Sequence, residues 1–311
     1  MSSFWVFPGQ GAQQASMLHA LPNDPLIAEC LREASDALNE DVLTLDTQQA
    51  LQSTRAVQLC LLIAGVACSR LLMAQGNTPD YVSGLSIGAY PAAVIAGALS
   101  FADAVRLVAL RGELMQEAYP QGYGMTALIG LDQTTVEQLI AQVHNASTPV
   151  YLANINADNQ FVIAGSDQAM ASVAALAHEH GAAAAKRLAV SVPSHCELLN
   201  TPAQKLAEAF AQITLMAPTL RYLSGSTARP IFNADKLRDD LAFNMSRVID
   251  WRSTVQTAYE RGVRLQIELP PGTVLTGLAR RVFEQGSAVA FQGARLDTLS
   301  ALSREEGTGH P

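Results

Sequence analysis

Charge is scarce in this chain. Only 15% of its 311 residues are Asp, Glu, Lys or Arg, against 49% hydrophobic. That balance describes a well-packed globular protein, long enough for one large core or two domains. The charge that is present is not basic. With 28 acidic and 20 basic residues the net charge is −8, which argues against nucleic acid as the main partner. Cysteine is also sparse. Cys30, Cys60, Cys68 and Cys196 show no C-x-x-C spacing, so no structural zinc or other metal is expected, and a reduced, cytoplasmic setting is. The apolar run 59–67 is too short for a bilayer and is bounded by Arg55 and Arg70, so no membrane association is expected. The N-terminus lacks the charged and hydrophobic regions of an export signal. There is no P-loop, no H-E-x-x-H motif and no internal repeat.

What is present centres on Gly84-Leu85-Ser86-Ile87-Gly88. Residues 80–83 before it read as a short strand, and the alanine-rich stretch 89–99 after it as a helix. G-x-S-x-G between strand and helix is the pattern of a nucleophile elbow. The sharp turn exposes the serine Oγ, and the glycines clear side chains from a close strand–helix contact. The N–H of Ile87 and the positive helix terminus then face the place where an oxyanion would form. The competing reading is an ordinary strand–turn–helix with a capping serine.

Residues 4–7 form an apolar strand ending in the loop Pro8-Gly9-Gln10-Gly11-Ala12-Gln13. Apolar spacing predicts helices over 24–40 and 55–75. A further helix starts at Ser100, with Asp103 completing a capping box. After Gly122 and Gly124 the texture changes. Strands are expected at 125–131, 150–154, 161–164 and 184–190, with helices at 134–145 and 167–180. That βαββαβ order is ferredoxin-like. The predicted fold is therefore an α/β-hydrolase-like large domain with a parallel sheet, built from 1–121 and 191–311, with a ferredoxin-like small domain inserted at 122–190. The last strands are expected at 222–224 and 265–269, and 303–311 reads as a frayed polar tail.

A serine nucleophile needs a base. Of the six histidines, His144, His178 and His180 sit near helix ends and read as solvated, His310 lies in the tail, and His19 follows the N-terminal loop. His195 stands where the chain leaves the inserted unit, stiffened by Pro193. A base and a structural histidine both fit it at this point. Cys196 beside it reads as a packing residue. Arg111 falls on an apolar helical stripe with Ala104, Leu107, Val108 and Met115. A guanidinium there must be paired, either in an internal salt bridge or in a bidentate grip on a substrate carboxylate. Gly9-Gln10-Gly11 lacks the third glycine of a dinucleotide fingerprint. A backbone donor loop beside Ser86 suits it better.

In order along the chain, these pieces resemble the malonyl-CoA:acyl-carrier-protein transacylase family. The carriers of the resemblance are Phe7-Pro8-Gly9-Gln10-Gly11-Ala12-Gln13, the Ser86 elbow, Arg111-Gly112-Glu113-Leu114-Met115-Gln116, residues 159–165 and Val190-Ser191-Val192-Pro193-Ser194-His195. The resemblance implies Ser86 as acylated nucleophile, His195 as its base and Arg111 as binder of the malonyl carboxylate. It implies an oxyanion hole from the N–H groups of Gln10 and Ile87, and a histidine oriented by a backbone carbonyl, here matched to Asn244. No bound cofactor is implied. Malonyl-CoA is the donor, and a phosphopantetheine-type thiol on a carrier protein is the acceptor. Leu85 and Ala89 depart from the histidine and glutamate usual there. With residues 17–22, they resemble the transacylase (epsilon) subunits of bacterial malonate decarboxylases. The expected acceptor is accordingly the malonate decarboxylase carrier subunit, with acyl carrier protein of fatty-acid synthesis as the alternative. An acidic carrier would dock near basic pairs such as Lys186-Arg187 or Arg280-Arg281. Two rivals remain: a serine hydrolase completed by Asp103, Asp132, Asp158 or Asp167, and a non-catalytic scaffold of a carrier complex.

Overall fold

The computed structural model describes residues 2–308. In chain order the strands are β1 (Ser2–Phe7), β2 (Tyr81–Gly84), β3 (Tyr123–Ile129), β4 (Val150–Ala157), β5 (Gln160–Ser166), β6 (Ala184–Arg187), β7 (Arg221–Leu223), β8 (Pro230–Ile231), β9 (Ile249–Asp250), β10 (Val263–Glu268) and β11 (Ser287–Ala290). The helices are α1 (Pro25–Leu38), α2 (Thr54–Ala74), α3 (Ala89–Ile95), α4 (Phe101–Ala118), α5 (Gln133–Val143), α6 (Asp167–Glu179), α7 (Asn200–Phe210), α8 (Ala234–Phe243), α9 (Trp251–Glu260), α10 (Val274–Ala279) and α11 (Leu296–Thr308).

The large sheet has the order β11-β10-β1-β2-β7-β8. It is parallel from β11 to β7, with β8 antiparallel at the edge. The elbow strand β2 is therefore interior, flanked by β1 and β7. The second sheet has the order β6-β3-β5-β4-β9. Its first four strands carry the expected βαββαβ connection and pair antiparallel throughout. β9 comes from beyond the inserted unit and extends that sheet by pairing parallel with β4 at Asn154↔Ile249. One face of the small sheet, with Met125, Ala153, Val162 and Ala164, packs on Cys196, directly after His195.

Most elements fall within a few residues of their sequence positions, and backbone geometry explains the shifts. The elbow helix stops at Ile95, short of residue 99, because Gly97 takes φ +71°. β3 stops at Ile129 because Gly130 turns at φ +102°. The large sheet does not end with residues 265–269, since β11 follows as its outer strand. The stretch 303–308 is not a frayed tail but the last part of α11, whose Ser300 accepts a hydrogen bond from Asn77 Nδ2 (2.9 Å). Residues 309–311, with His310, lie outside the described residues.

α2 forms within one residue of the helix expected over 55–75. The apolar run 59–67 is only its middle. Ser69 Oγ bonds back to the Gly65 carbonyl (2.7 Å), so the helix passes the polar residues and continues. By length and composition α2 could cross a bilayer, but 89% of its apolar window is buried, packed against α1, α3 and α4.

The elbow works because two backbones nearly touch. A Cβ on Gly84 would lie 1.8 Å from the Gly88 carbonyl carbon, and one on Gly88 would lie 2.2 Å from the Phe7 carbonyl oxygen. Neither neighbour is a flexible side-chain end, so neither can yield. Gly84→Ala or Gly88→Ala is expected to destabilise the fold by about 3 kcal/mol or more in urea unfolding. Gly277 on α10 has open space around its Cβ position, so Gly277→Ala is expected to stabilise by about 0.5–1 kcal/mol.

Candidate active site

Ser86 stands at the end of β2 with φ +58°, a left-handed conformation that costs a non-glycine residue on the order of 1–3 kcal/mol. His195 is likewise left-handed, at φ +64°. Both are buried. The backbone holding His195 is specific: its N–H donates to the Met245 carbonyl (2.7 Å), and its Nδ1 bonds the Asn244 carbonyl (2.8 Å). A carbonyl only accepts, so Nδ1 carries the proton and Nε2 keeps the lone pair. Burial pushes the His195 pKa down to about 4, against the opposing pull of the Asn244 carbonyl and with the help of the Arg111 charge.

Arg111 on α4 is 0% exposed. Its Nη1 donates to Gln58 Oε1 (2.8 Å), and its Nη2 to Asn244 Oδ1 (3.0 Å) and Ser86 Oγ (3.3 Å). All three acceptors are neutral. The guanidinium lies over the Tyr90 ring at 5.7 Å, and its buried Nε has no partner. Among the described residues, the internal salt bridge allowed by the sequence is therefore absent, and burial lowers the Arg111 pKa. A desolvated cation with N–H donors to spare, beside the Ser86 hydroxyl, suits an incoming carboxylate.

Asn244 joins the site through both its groups. Its carbonyl holds His195, its Oδ1 accepts from Arg111, and its Nδ2 donates to the Ser86 carbonyl (3.1 Å). The side chain at this position thus matters, although the sequence reading assigned it no part. Gln58 was also missed. It is a fully buried amide side chain within the apolar α2. With Oε1 turned to Arg111, its Nε2 faces Gln10 Oε1 (3.2 Å) and Met115 Sδ. A glutamine inside an apolar helix was the available signal. The loop carrying Gln10 reaches the elbow because Gly9 has no side chain: a Cβ there would lie 2.9 Å from the Leu85 carbonyl oxygen.

The remaining candidates lie elsewhere. His19 Nδ1 pairs with Asp46 (2.9 Å), and His144, His178 and His180 are exposed. Cys196 Sγ donates to the Pro193 carbonyl (3.3 Å), and burial raises its pKa to about 12, which suits a packing residue. The carboxylates that would complete a hydrolase triad are engaged otherwise. Asp103 pairs with Arg106, Asp158 with Arg252 and Asp167 with Arg187, and Asp132 caps α5. Among the described residues no group of His, Cys, Asp and Glu is gathered that could hold a metal ion.

Comparison with known proteins bears on this geometry. Residues 4–308 match the family model described as acyl transferase domain. The chain belongs to the acyl transferase family. Among curated acyl transferases it is similar to the malonyl CoA-acyl carrier protein transacylase of Escherichia coli (strain K12), 39% identical over 293 residues, 92% of this chain and 94% of that protein. It is 33% identical to the enzyme of that name from Bacillus subtilis (strain 168), over 97% of each chain. The solved FabD structure of Acinetobacter baumannii superposes with a TM-score of 0.92 at 36% identity, covering 98% of both chains. A type II PKS malonyl-transacylase, solved in complex with its acyl-carrier protein, also gives 0.92 at 35% identity, covering 98% of this chain and 100% of that one.

A buried histidine with a lowered pKa makes a kinetic statement. Above pH 4 its Nε2 stays unprotonated, so the acid limb of kcat/KM for acylation by a CoA thioester is expected near pH 4, well below the ordinary 6.5. Between pH 6.5 and about 4 the unfolded chain binds a proton that the folded chain refuses, so stability falls as pH falls through that window. A stopped-flow pH profile checks this; an acid limb at 6.5 would contradict it.

Proposed function

We propose that this acyl transferase moves malonyl from malonyl-CoA to the phosphopantetheine-type thiol of a carrier protein, through a malonyl-serine ester on Ser86. The observation that carries the reading is Arg111, fully buried beside Ser86 Oγ and bonded only to neutral acceptors. A malonyl carboxylate supplies the missing counter-charge and displaces Ser86 Oγ from Nη2. The freed hydroxyl gives its proton to His195 Nε2 as Oγ attacks the thioester carbonyl carbon. The N–H groups of Gln10 and Ile87 receive the oxyanion. The C–S bond breaks, the CoA sulfur takes the proton from His195, and the ester remains. The carrier thiol then loses its proton to His195 and attacks the ester, and Ser86 recovers the proton. Acetyl-CoA leaves the guanidinium unpaired, a penalty of about 1–3 kcal/mol or more.

A serine hydrolase is disfavoured because His195 leans on a carbonyl, not on a carboxylate. A scaffold role is disfavoured by two left-handed residues, Ser86 and His195, held where chemistry would use them. The four free, buried cysteines suit the cytoplasm. We divide the chain at 121/122 and 190/191, with β9 crossing to the inserted unit's sheet.

The acceptor has two readings. The relatives' names support acyl carrier protein. The elbow's own flanks favour the malonate decarboxylase carrier subunit. Leu85, packed against Gly9, and Ala89, buried, make those flanks apolar where a polar pair is usual, while Ser86, His195 and Arg111 are kept. Of the basic pairs considered for carrier docking, Arg187 is tied to Asp167 and Arg280 to the Ala288 carbonyl. Arg281 reaches Gln160 Oε1 (3.5 Å), and the exposed Lys186 keeps more freedom to steer an acidic carrier.

Intact-mass spectrometry tests the chemistry. Wild type is expected to gain one malonyl group on the peptide containing Ser86, and Ser86→Ala none. His195→Ala is expected to slow acylation about 10²–10⁴-fold. Arg111→Ala is expected to lose malonyl transfer and gain relative tolerance of acetyl-CoA. Label on Cys196, or an unchanged malonyl-to-acetyl ratio in Arg111→Ala, would contradict the assignment. Transfer from the labelled enzyme to each carrier at matched concentration decides the acceptor: faster transfer to acyl carrier protein would remove the decarboxylase reading.

A further inference from the structure

One buried carboxylate has no part in this chemistry. Asp240, in the last turn of α8, is 5% exposed and is satisfied by hydroxyls instead of a cation. Tyr222 OH donates to its Oδ2 (2.8 Å) and Ser224 Oγ to its Oδ1 (2.5 Å). Ser224 Oγ itself accepts from the N–H groups of Ser226 and Thr227, so its own hydrogen is directed at Asp240. Two hydroxyl donors converging on one group call for a group that only accepts.

What Asp240 fastens is more telling. Tyr222 lies on β7 and Ser224 directly follows it. β7 pairs with the elbow strand β2 at Val82↔Tyr222, and Ser83 Oγ bonds the Leu223 carbonyl (2.8 Å). At the other end, the main-chain carbonyl of Asp240 accepts the N–H of Asn244. Asn244 in turn holds His195, Arg111 and the Ser86 carbonyl. The next residue of α8 is clamped as well: Tyr90 OH, from the elbow helix α3, donates to the Leu241 carbonyl (2.8 Å). The end of α8 is thereby gripped from the strand beside the elbow and from the helix after it. We infer that Asp240 is a positioning residue, setting through α8 where Asn244 meets both the base and the carboxylate-binding arginine.

The inference rests on the acyl-transfer reading for its kinetic arm only. Three variants are compared with wild type: Asp240→Asn, Tyr222→Phe, and Asp235→Asn on the exposed first turn of α8 as control. Single-turnover acylation by malonyl-CoA is measured per folded enzyme, together with KM and the NMR resonance of the His195 Nδ1 proton. Asp240→Asn is expected to slow acylation about tenfold or more with KM within about twofold, and to shift the resonance, because a misplacement near the site costs rate more than affinity. Tyr222→Phe removes one of the two donors and is expected to do the same to a smaller degree, about threefold. Asp235→Asn is expected to change neither. A merely structural role would lower the folded fraction while leaving rate per folded enzyme and resonance unchanged, and that outcome overturns the proposal. If Asp240→Asn does not fold, an unchanged rate and resonance in Tyr222→Phe overturns it equally. Failure of the acyl-transfer reading shows instead as no acylation of wild type, and the resonance comparison still decides Asp240.

Discussion

A guanidinium with no carboxylate on it, sealed from water, is the constraint around which this molecule is arranged. An uncompensated buried cation is costly. It persists in a fold only where many neutral groups are turned to face it. The Arg111 neighbourhood is built of such groups: an amide from α2, an amide from the end of α8, a hydroxyl from the elbow and the face of Tyr90. Because an arginine only donates, its presence fixes the orientation of both amides. Gln58 must then turn its nitrogen toward Gln10, and Asn244 must turn its nitrogen toward the Ser86 carbonyl. The charge thus orders the loop, the elbow and the base support in one network. On the proposed reading, stability is given up at the place where a charged substrate would restore it, a trade usual at functional sites.

The scaffold makes that arrangement rigid. Ser86 follows an interior strand, whose course β1 and β7 fix from both sides. Gly84 and Gly88 allow the turn, and Gly9 lets the N-terminal loop lie against it. His195 arrives from a different part of the chain, seated by Met245 and Asn244 on one side and by the small sheet, through Cys196, on the other. The inserted unit therefore forms the wall against which the histidine loop packs, and β9 ties the two sheets together.

Much of this was legible in the sequence wherever a local rule carried the information. Strand, glycines and helix around Ser86 lie within a short window, and an arginine on an apolar stripe announces a buried charge. The order of strands and helices in the inserted unit could be read from alternation and breaks. What could not be read depends on pairing across distance. Gln58 meets Arg111 across 53 positions and Asn244 meets Ser86 across 158. The two-residue strands β8 and β9 have no periodicity to detect and exist because a sheet edge accepts them. α11 reads as a polar tail because its anchors are tertiary, Asn77 and Gln75 bonding Ser300.

The central claim is that a carboxylate, and not merely an acyl group of malonyl size, completes this site. Acetoacetyl-CoA is close to malonyl-CoA in shape but presents a neutral methyl ketone where malonyl carries its charge. The most direct measurement is the rate of Ser86 acylation of the unaltered enzyme by the two thioesters, followed by intact mass under single-turnover conditions. Acylation by malonyl-CoA is expected to be faster by about 10² or more, since the neutral analogue leaves a buried guanidinium without its partner. Comparable rates for the two would mean that Arg111 does not read the substrate's charge.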